Sequence, residues 1–146
     1  MKIALVSSHG GHLTEVFELK EAFKGHETFH ISYRCVNTEN LERAYLLPNM
    51  GAGIINFLSG TLSILKILLK ERPKVIFSTG AEIAIPASFI GKLFGAKIIY
   101  LECSAQVVNP SITGKIVYHI ADLFLVQWKS LLKKYGSKAQ YHGGLI

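Results

Sequence analysis

Short apolar runs separated by longer segments of helical periodicity constrain this chain most. Lys2–Ser7, Thr28–Tyr33, Lys74–Ser78, Lys97–Leu101 and Leu123–Gln127 carry apolar stretches too short for a buried helix. Between them, residues such as Leu13, Val16, Leu19 and Phe23 recur at near-helical spacing. A strand that is apolar on both faces must be covered on both faces. Strands alternating with helices of this length therefore predict an α/β fold, a Rossmann-like parallel sheet with helices on both sides.

The same reading places helices at Leu13–Lys24, Ser59–Glu71, Ile83–Phe94, Ser111–Ala121 and Lys129–Tyr135, and a last short strand at Ala139–Tyr141. Pro86 falls in a first helical turn, where its missing N–H matters little. Gly25 and Gly95 close two helices, and Pro73 stops a third. Residues 34–50 are less regular: a short helix is expected over Thr38–Leu46, followed by a third strand at Gly53–Phe57. The 146 residues are expected to form one domain, 1–146, with no internal repeat.

The charge is uneven. Residues 1–50 carry five Lys/Arg and six Asp/Glu, whereas residues 51–146 carry eleven and four. A basic second half on an apolar-rich chain points to an anionic partner: a phosphate-bearing ligand, a membrane surface or nucleic acid. The lysines are dispersed with no aromatic-basic ladder and no helix-turn-helix spacing, which argues against nucleic acid. Leu58, Leu62, Leu65 and Leu69 share a helical face, and Lys66, Lys70, Arg72 and Lys74 accompany them. Such a segment fits either a core helix or a core helix that also presents a patch to an anionic leaflet. Asn56, Ser59, Thr61, Ser63 and Lys66 interrupt the Ile54–Leu69 run, which falls short of the ~20 apolar residues a bilayer span requires. No signal peptide is read at the N-terminus, and Cys35 and Cys103 read as free thiols of a reducing cytosol. Any membrane contact is therefore expected to be peripheral, on the cytoplasmic face.

Ligands of such sheets bind beyond the carboxyl ends of the strands. Three loops fall there. Ser7-Ser8-His9-Gly10-Gly11-His12 joins the first strand to the first helix; its paired glycines and the helix N-terminus read as an anion cradle or as a plain turn capped by His12. It lacks the GxGxxG spacing of a dinucleotide fingerprint. Ser78-Thr79-Gly80-Ala81-Glu82 again sets small residues before a helix, with hydroxyls and N–H groups for a pyrophosphate or a sugar. Glu102-Cys103-Ser104 ends the fifth strand, and Glu102 reads either as a ligand or base or as a strand-end cap. Further along, Lys115 is within reach of an anion or simply solvated, and Trp128 reads as a packing or partner-contact residue. The histidines show no metal-ligand spacing, so no metal site and no cofactor are expected.

Taken in order, Gly10-Gly11-His12, Ser78-Thr79-Gly80-Ala81, Tyr100-Leu101-Glu102, Ser111-Ile112-Thr113-Gly114-Lys115, Ala121-Asp122, Val126-Gln127-Trp128 and Tyr141-His142-Gly143-Gly144-Leu145 resemble one family across nearly the whole chain. It is the acceptor-side subunit of two-chain UDP-sugar glycosyltransferases. One branch is the eukaryotic asparagine-linked glycosylation subunit; the other is the bacterial PssD-like polysaccharide protein. Gly-Gly-His is shared with single-chain MurG-like enzymes, whereas the block from Thr113 to Trp128 is more specific.

The resemblance implies the N-terminal half of a GT-B glycosyltransferase. It also implies a separate donor-binding subunit, expected because no second half follows Gly143-Gly144 in this sequence. The acceptor would be a polyprenyl-diphosphate-linked saccharide. Ser8, Gly10, Gly11, Thr79, Gly80, Thr113 and Lys115 are then the expected acceptor and phosphate contacts. His12 is the expected base, with Glu102 second. Trp128, Tyr141, Gly143 and Gly144 are expected at the partner interface, and Leu58, Leu62, Leu65, Lys66, Leu69 and Lys70 at an anionic membrane. Gln106 stands where the family often has Arg, and the eukaryotic N-terminal membrane helix has no counterpart, which favours the PssD-like branch. The alternatives are a non-catalytic recruiter of a partner transferase and a stand-alone nucleotide-binding enzyme.

Overall fold

A computed structural model describes residues 1–145. Seven strands form one parallel sheet: β1 (Lys2–Val6), β2 (Glu27–Tyr33), β3 (Ala44–Leu47), β4 (Val75–Ser78), β5 (Lys97–Leu101), β6 (Leu123–Val126) and β7 (Ala139–Tyr141), in the spatial order β3-β2-β1-β4-β5-β6-β7. The order reverses between β1 and β4, the topological switch point at which sheets of this kind open a crevice.

Alternating side chains divide the core between the two faces. Ala4, Val6, Phe29, Ile31, Ile76, Ile98 and Phe124 point to one side, where α2 (Ile54–Glu71), α3 (Ala84–Leu93) and α4 (Ile112–Tyr118) bury Ile64, Leu68, Ala84, Ala87 and Val117 against them. Ile3, Leu5, Phe77 and Leu101 point to the other side, covered by α1 (Gly11–Glu18) and a 3₁₀ turn at Lys20–Phe23. On that side Phe23, Val75, Phe77, Ile99 and Leu125 line an open apolar groove of about 360 Å³. A short α5 (Leu132–Tyr135) follows a 3₁₀ turn at Lys129–Leu131 and leads into β7.

Two expected elements are different. Thr38–Leu46 is not a helix; the third strand lies at its end, at Ala44–Leu47, and Gly53–Phe57 opens α2. The cause is exposure. Ile54 and Ile55, which read as strand core, are 76% and 79% exposed in the first helical turn, while β3 is a half-buried edge strand with a weak apolar signal. Gly53, at φ +142°, makes the turn into α2.

Ion pairs and a tyrosine hydroxyl hold the edge opposite the ligand side. Lys2 donates to Glu71 at 2.9 Å, Tyr45 donates to the same carboxylate at 2.5 Å, and Arg43 pairs with Glu27 at 2.7 Å. The Tyr45 and Lys2 hydrogen bonds hold Glu71 below the usual carboxylate range. Asp122, just before β6, accepts from the Ile98 N–H at 2.8 Å and from Lys92 at 2.7 Å.

Candidate functional site

The carboxyl ends of β1, β4 and β5 deliver three loops to one cleft of about 520 Å³. His12, Ala81, Tyr100, Glu102, Gln106 and Thr113 are among the residues that line it. His12 sits in the first turn of α1. Its Nδ1 lies 2.9 Å from the Thr79 carbonyl, and the Thr79 hydroxyl donates back to the His12 carbonyl at 2.8 Å. A carbonyl only accepts, so Nδ1 carries the proton and the lone pair of the neutral ring is left on Nε2. Gly80, at φ +124°, makes this fit possible: a Cβ there would come within 2.9 Å of the imidazole Cε1.

The reciprocal bond ties Thr79 and Gly80 to the placement of His12. Thr79 is fully buried with its hydroxyl engaged, and the Gly80 N–H donates to Ser78 Oγ at 3.2 Å. Thr79 holds His12, and Gly80 leaves the ring room. Ala81 follows in the left-handed region at φ +66°, a strained conformation for a residue with a Cβ, directly on the cleft wall. Gly10 and Gly11 remain open: both are exposed, and a Cβ on either would meet nothing within 4 Å. Gly10 caps α1 at φ +79° with no side-chain hydrogen bond, so the first-turn N–H groups are available to an anion. Ser8 is half-buried beside them.

Glu102 is also placed differently from a base. It is fully buried and collects the N–H of Cys103 at 3.1 Å, the N–H of Ser111 at 3.1 Å, the Ser111 hydroxyl at 2.9 Å and the Tyr135 hydroxyl. Ser111 in turn caps α4, accepting from the Gly114 N–H at 2.8 Å. Burial and the adjoining Glu102 push the Tyr135 phenol well above its ordinary range, so it remains a donor. Both carboxylate oxygens of Glu102 are engaged; the group anchors the β5–α4 loop and is a strand-end cap on a buried scale. Thr113 is half-buried on the cleft rim, while Lys115 is exposed on α4 and is not among the residues lining the cleft.

A second buried carboxylate went unnoticed in the sequence. Glu15 is 1% exposed and accepts from the Ser104 N–H at 2.8 Å and from Gln127 Nε2 at 3.1 Å, both on Oε1. Gln127 also donates to the Glu102 carbonyl at 3.1 Å and accepts from the Leu145 N–H at 3.0 Å. One network thus links α1, the β5 loop, the end of β6 and the C-terminal segment. A signal was present: Glu15 stands three residues after His12 on the stripe that includes Val16, where a carboxylate is out of place. A ring nitrogen of His12, a carboxylate oxygen of Glu15 and Sγ of Cys103 lie within 4.8 Å of one another. The expectation of no metal-ligand grouping rested on spacing along the chain and missed a cluster that only folding assembles.

The remaining candidates lie around the same edge or on the α2 side. Trp128 is 40% exposed and donates from Nε1 to the Ser104 carbonyl at 2.7 Å. Tyr141 is half-buried under Lys129, and Gly143 and Gly144 are exposed after β7. On α2, Leu58, Leu62 and Leu69 are 57%, 59% and 48% exposed beside exposed Lys66 and Lys70; Leu65 is half-buried at the margin. Phe89 and Leu93 on α3 and Ile112 and Ile116 on α4 extend exposed apolar surface over the neighbouring helices. No described helix is long and apolar enough to cross a membrane.

Comparison with known proteins places this architecture. The fold is that of the N-terminal half of MurG-like GT-B proteins. MurG of Acinetobacter baumannii superimposes with a TM-score of 0.79 at 14% identity, over 99% of this chain and 45% of that one. A UDP-GlcNAc 2-epimerase of Methanocaldococcus jannaschii gives 0.77 at 17% identity, over 99% and 46%. In sequence, the UDP-N-acetylglucosamine transferase subunit ALG14 of Candida albicans is 41% identical over 85 residues, 54% of this chain and 38% of that protein. The human protein of the same name is 24% identical, over 100% of this chain and 83% of its own length. The chain thus spans well under two thirds of the Candida relative. The family described as "Oligosaccharide biosynthesis protein Alg14 like" matches residues 46–145, from β3 through the β5 and β6 loops to the glycines after β7, and the chain belongs to that family.

Proposed function

We propose that this chain is the acceptor-binding, membrane-associating subunit of a heteromeric inverting glycosyltransferase. The complex moves a sugar from a UDP-sugar to a hydroxyl of a polyprenyl-diphosphate-linked saccharide. The observation that carries this reading is His12: an imidazole held by a backbone carbonyl, with its free nitrogen at a carboxyl-edge cleft, in a chain of the Alg14-like family. The names of the relatives make N-acetylglucosamine the first donor sugar to test.

In this mechanism the acceptor hydroxyl lies against His12 Nε2. The imidazole takes the proton as the oxygen attacks the anomeric carbon, and UDP leaves with the glycosidic electron pair. The Gly10–Gly11 turn and the uncapped α1 N-terminus receive the acceptor diphosphate, with Ser8 and Thr113 at the margins. A partner subunit holds most of the UDP-sugar and meets this chain near Trp128, Tyr141 and the exposed glycines. The apolar groove beside α1 gives such a subunit further surface to cover. The exposed leucines of α2, with Lys66 and Lys70, rest on the anionic leaflet that carries the acceptor.

The test is transfer of labelled sugar from several UDP-sugars into polyprenyl-diphosphate-linked acceptor. It is run with this chain alone, with the transferase encoded beside its gene, and with that transferase by itself. Activity only in the mixture is expected. Full activity from the neighbour alone would overturn the catalytic contribution of His12 and leave this chain a recruiter.

A further inference from the structure

The cluster of His12, Glu15 and Cys103 joins three different donor types: His12 and Cys103 line the cleft, Glu15 is buried next to them, and His12 and Glu15 are each oriented by hydrogen bonds. His12 Nδ1 is fixed on the Thr79 carbonyl, which leaves the other ring nitrogen to serve as a ligand, as backbone carbonyls orient metal-bound histidines. Glu15 is immobilised through Oε1 by Ser104 and Gln127, while its other oxygen, Oε2, is buried without any hydrogen-bond partner. An unpartnered carboxylate oxygen at this depth is a costly feature unless something binds it. Cys103, half-buried on the cleft wall, supplies the thiol.

We infer that these three side chains form a binding site for a thiophilic divalent cation of the Zn²⁺ class, with the fourth coordination position open to the cleft. Sulfur, imidazole nitrogen and one carboxylate oxygen suit zinc and do not suit the all-oxygen preferences of calcium or magnesium. Three protein ligands and an open position are the arrangement of exchangeable rather than purely structural zinc sites. Zinc bond lengths imply ligand–ligand separations of roughly 3.3–3.6 Å, so the donors must close by about 1 Å. Cys103, half-buried with no hydrogen bond fixing its sulfur among the described residues, makes most of that approach, whereas His12 and Glu15 are the held points. Binding forms the sulfur–metal bond, and the thiol proton passes to solvent. If His12 is the base of the transfer reaction, a reading on which this consequence rests, the bound cation takes the same lone pair and inhibits transfer.

The probe is Co²⁺ added to the purified full chain, read by its thiolate charge-transfer absorption, with Zn²⁺ displacing it. One cation per chain is expected. Cys103→Ser should abolish the band, Glu15→Gln should weaken binding by about tenfold or more, and Cys35→Ser should leave it unchanged. Far-ultraviolet circular dichroism of each variant confirms that it is folded. No band in the parent chain, or a band that survives in folded Cys103→Ser, overturns the site. Because binding is read on this chain alone, the result is independent of whether the transfer reaction has been correctly assigned. Undiminished transfer by a zinc-saturated complex would overturn the assignment of His12 as base and leave the site intact.

Discussion

Replacing Glu102 with alanine separates an anchor from a catalyst. The carboxylate receives two backbone N–H groups, of Cys103 and Ser111, and two hydroxyls, of Ser111 and Tyr135. A hydrogen bond to a charged group contributes ~1.5–3 kcal/mol, and a buried donor left without a partner costs ~1–3 kcal/mol. Water entering from the cleft re-pairs some of the four donors, so a full sum overstates the loss. A value of about 4 kcal/mol, typical of breaking a buried polar network, is the expected outcome. With a urea slope of ~2 kcal/mol/M, the unfolding midpoint falls by about 2 M. Glu102→Gln keeps one acceptor oxygen but turns an amide N–H₂ toward donors, which predicts about half that loss. Tyr135→Phe removes one bond to the carboxylate and costs about 1.5–3 kcal/mol. The refuting result is an Ala variant within ~1 kcal/mol of the parent; the network would then contribute little, and a direct chemical role for Glu102 would regain ground.

His12→Ala should lower turnover of the assembled pair by roughly 10²–10⁴-fold while moving the urea midpoint by no more than the ~1 kcal/mol of one lost hydrogen bond; unchanged turnover would remove His12 from the chemistry. Leu58→Glu combined with Leu62→Glu should weaken sedimentation with anionic vesicles by about tenfold or more, with folding stability altered by no more than ~0.5 kcal/mol per site; equal binding by parent and variant would take α2 off the membrane. Acid stability should respond to Glu71. Its folded pKa is depressed, so its contribution is fully present above the unfolded value of ~4.3 and disappears as pH falls through the lower folded value. Urea midpoints measured from pH 6 down to pH 2 should therefore fall less steeply in Glu71→Gln, and parallel curves would refute the linkage.

Strands β1, β4, β5 and β6 were legible because each is a short apolar run, buried on the side of α2–α4 and at least partly buried on the other. β3 was not, since an edge strand gains from one neighbour only and its Ala-Tyr-Leu-Leu is half-buried. Ile54 and Ile55 misled in the opposite sense: apolar side chains usually signal core, and here they face outward. In the site, the loops and His12 followed from the rule that ligands bind at carboxyl ends of strands. The jobs of Thr79, Gly80 and Glu102 did not, because they depend on contacts 67, 67 and 33 residues away in the cases of the two Thr79–His12 bonds and the Glu102–Tyr135 bond. Gln127 stood within a family motif, yet a glutamine after a strand gives no hint that it joins Glu15, Glu102 and Leu145.

These contacts bear on the proposal that His12, and neither buried carboxylate, is the base. Glu102 and Glu15 are both buried at the ligand edge, and either would be a reasonable proton acceptor if judged by position. Glu102 has both oxygens committed to the β5–α4 loop, and Glu15 has one committed to Ser104 and Gln127. Each therefore fixes a loop, and moving either to meet a substrate would strand buried N–H groups. His12 is held differently: its constraint acts through Nδ1 alone, which sets the ring plane and tautomer while leaving Nε2 unencumbered. The two carboxylates make the frame stiff, Gly80 lets the imidazole sit against it, and the proton acceptor proposed at the cleft is a single oriented nitrogen. Placing a proton acceptor on such a frame leaves little reorganisation for the moment of transfer, the condition under which one side chain can matter most.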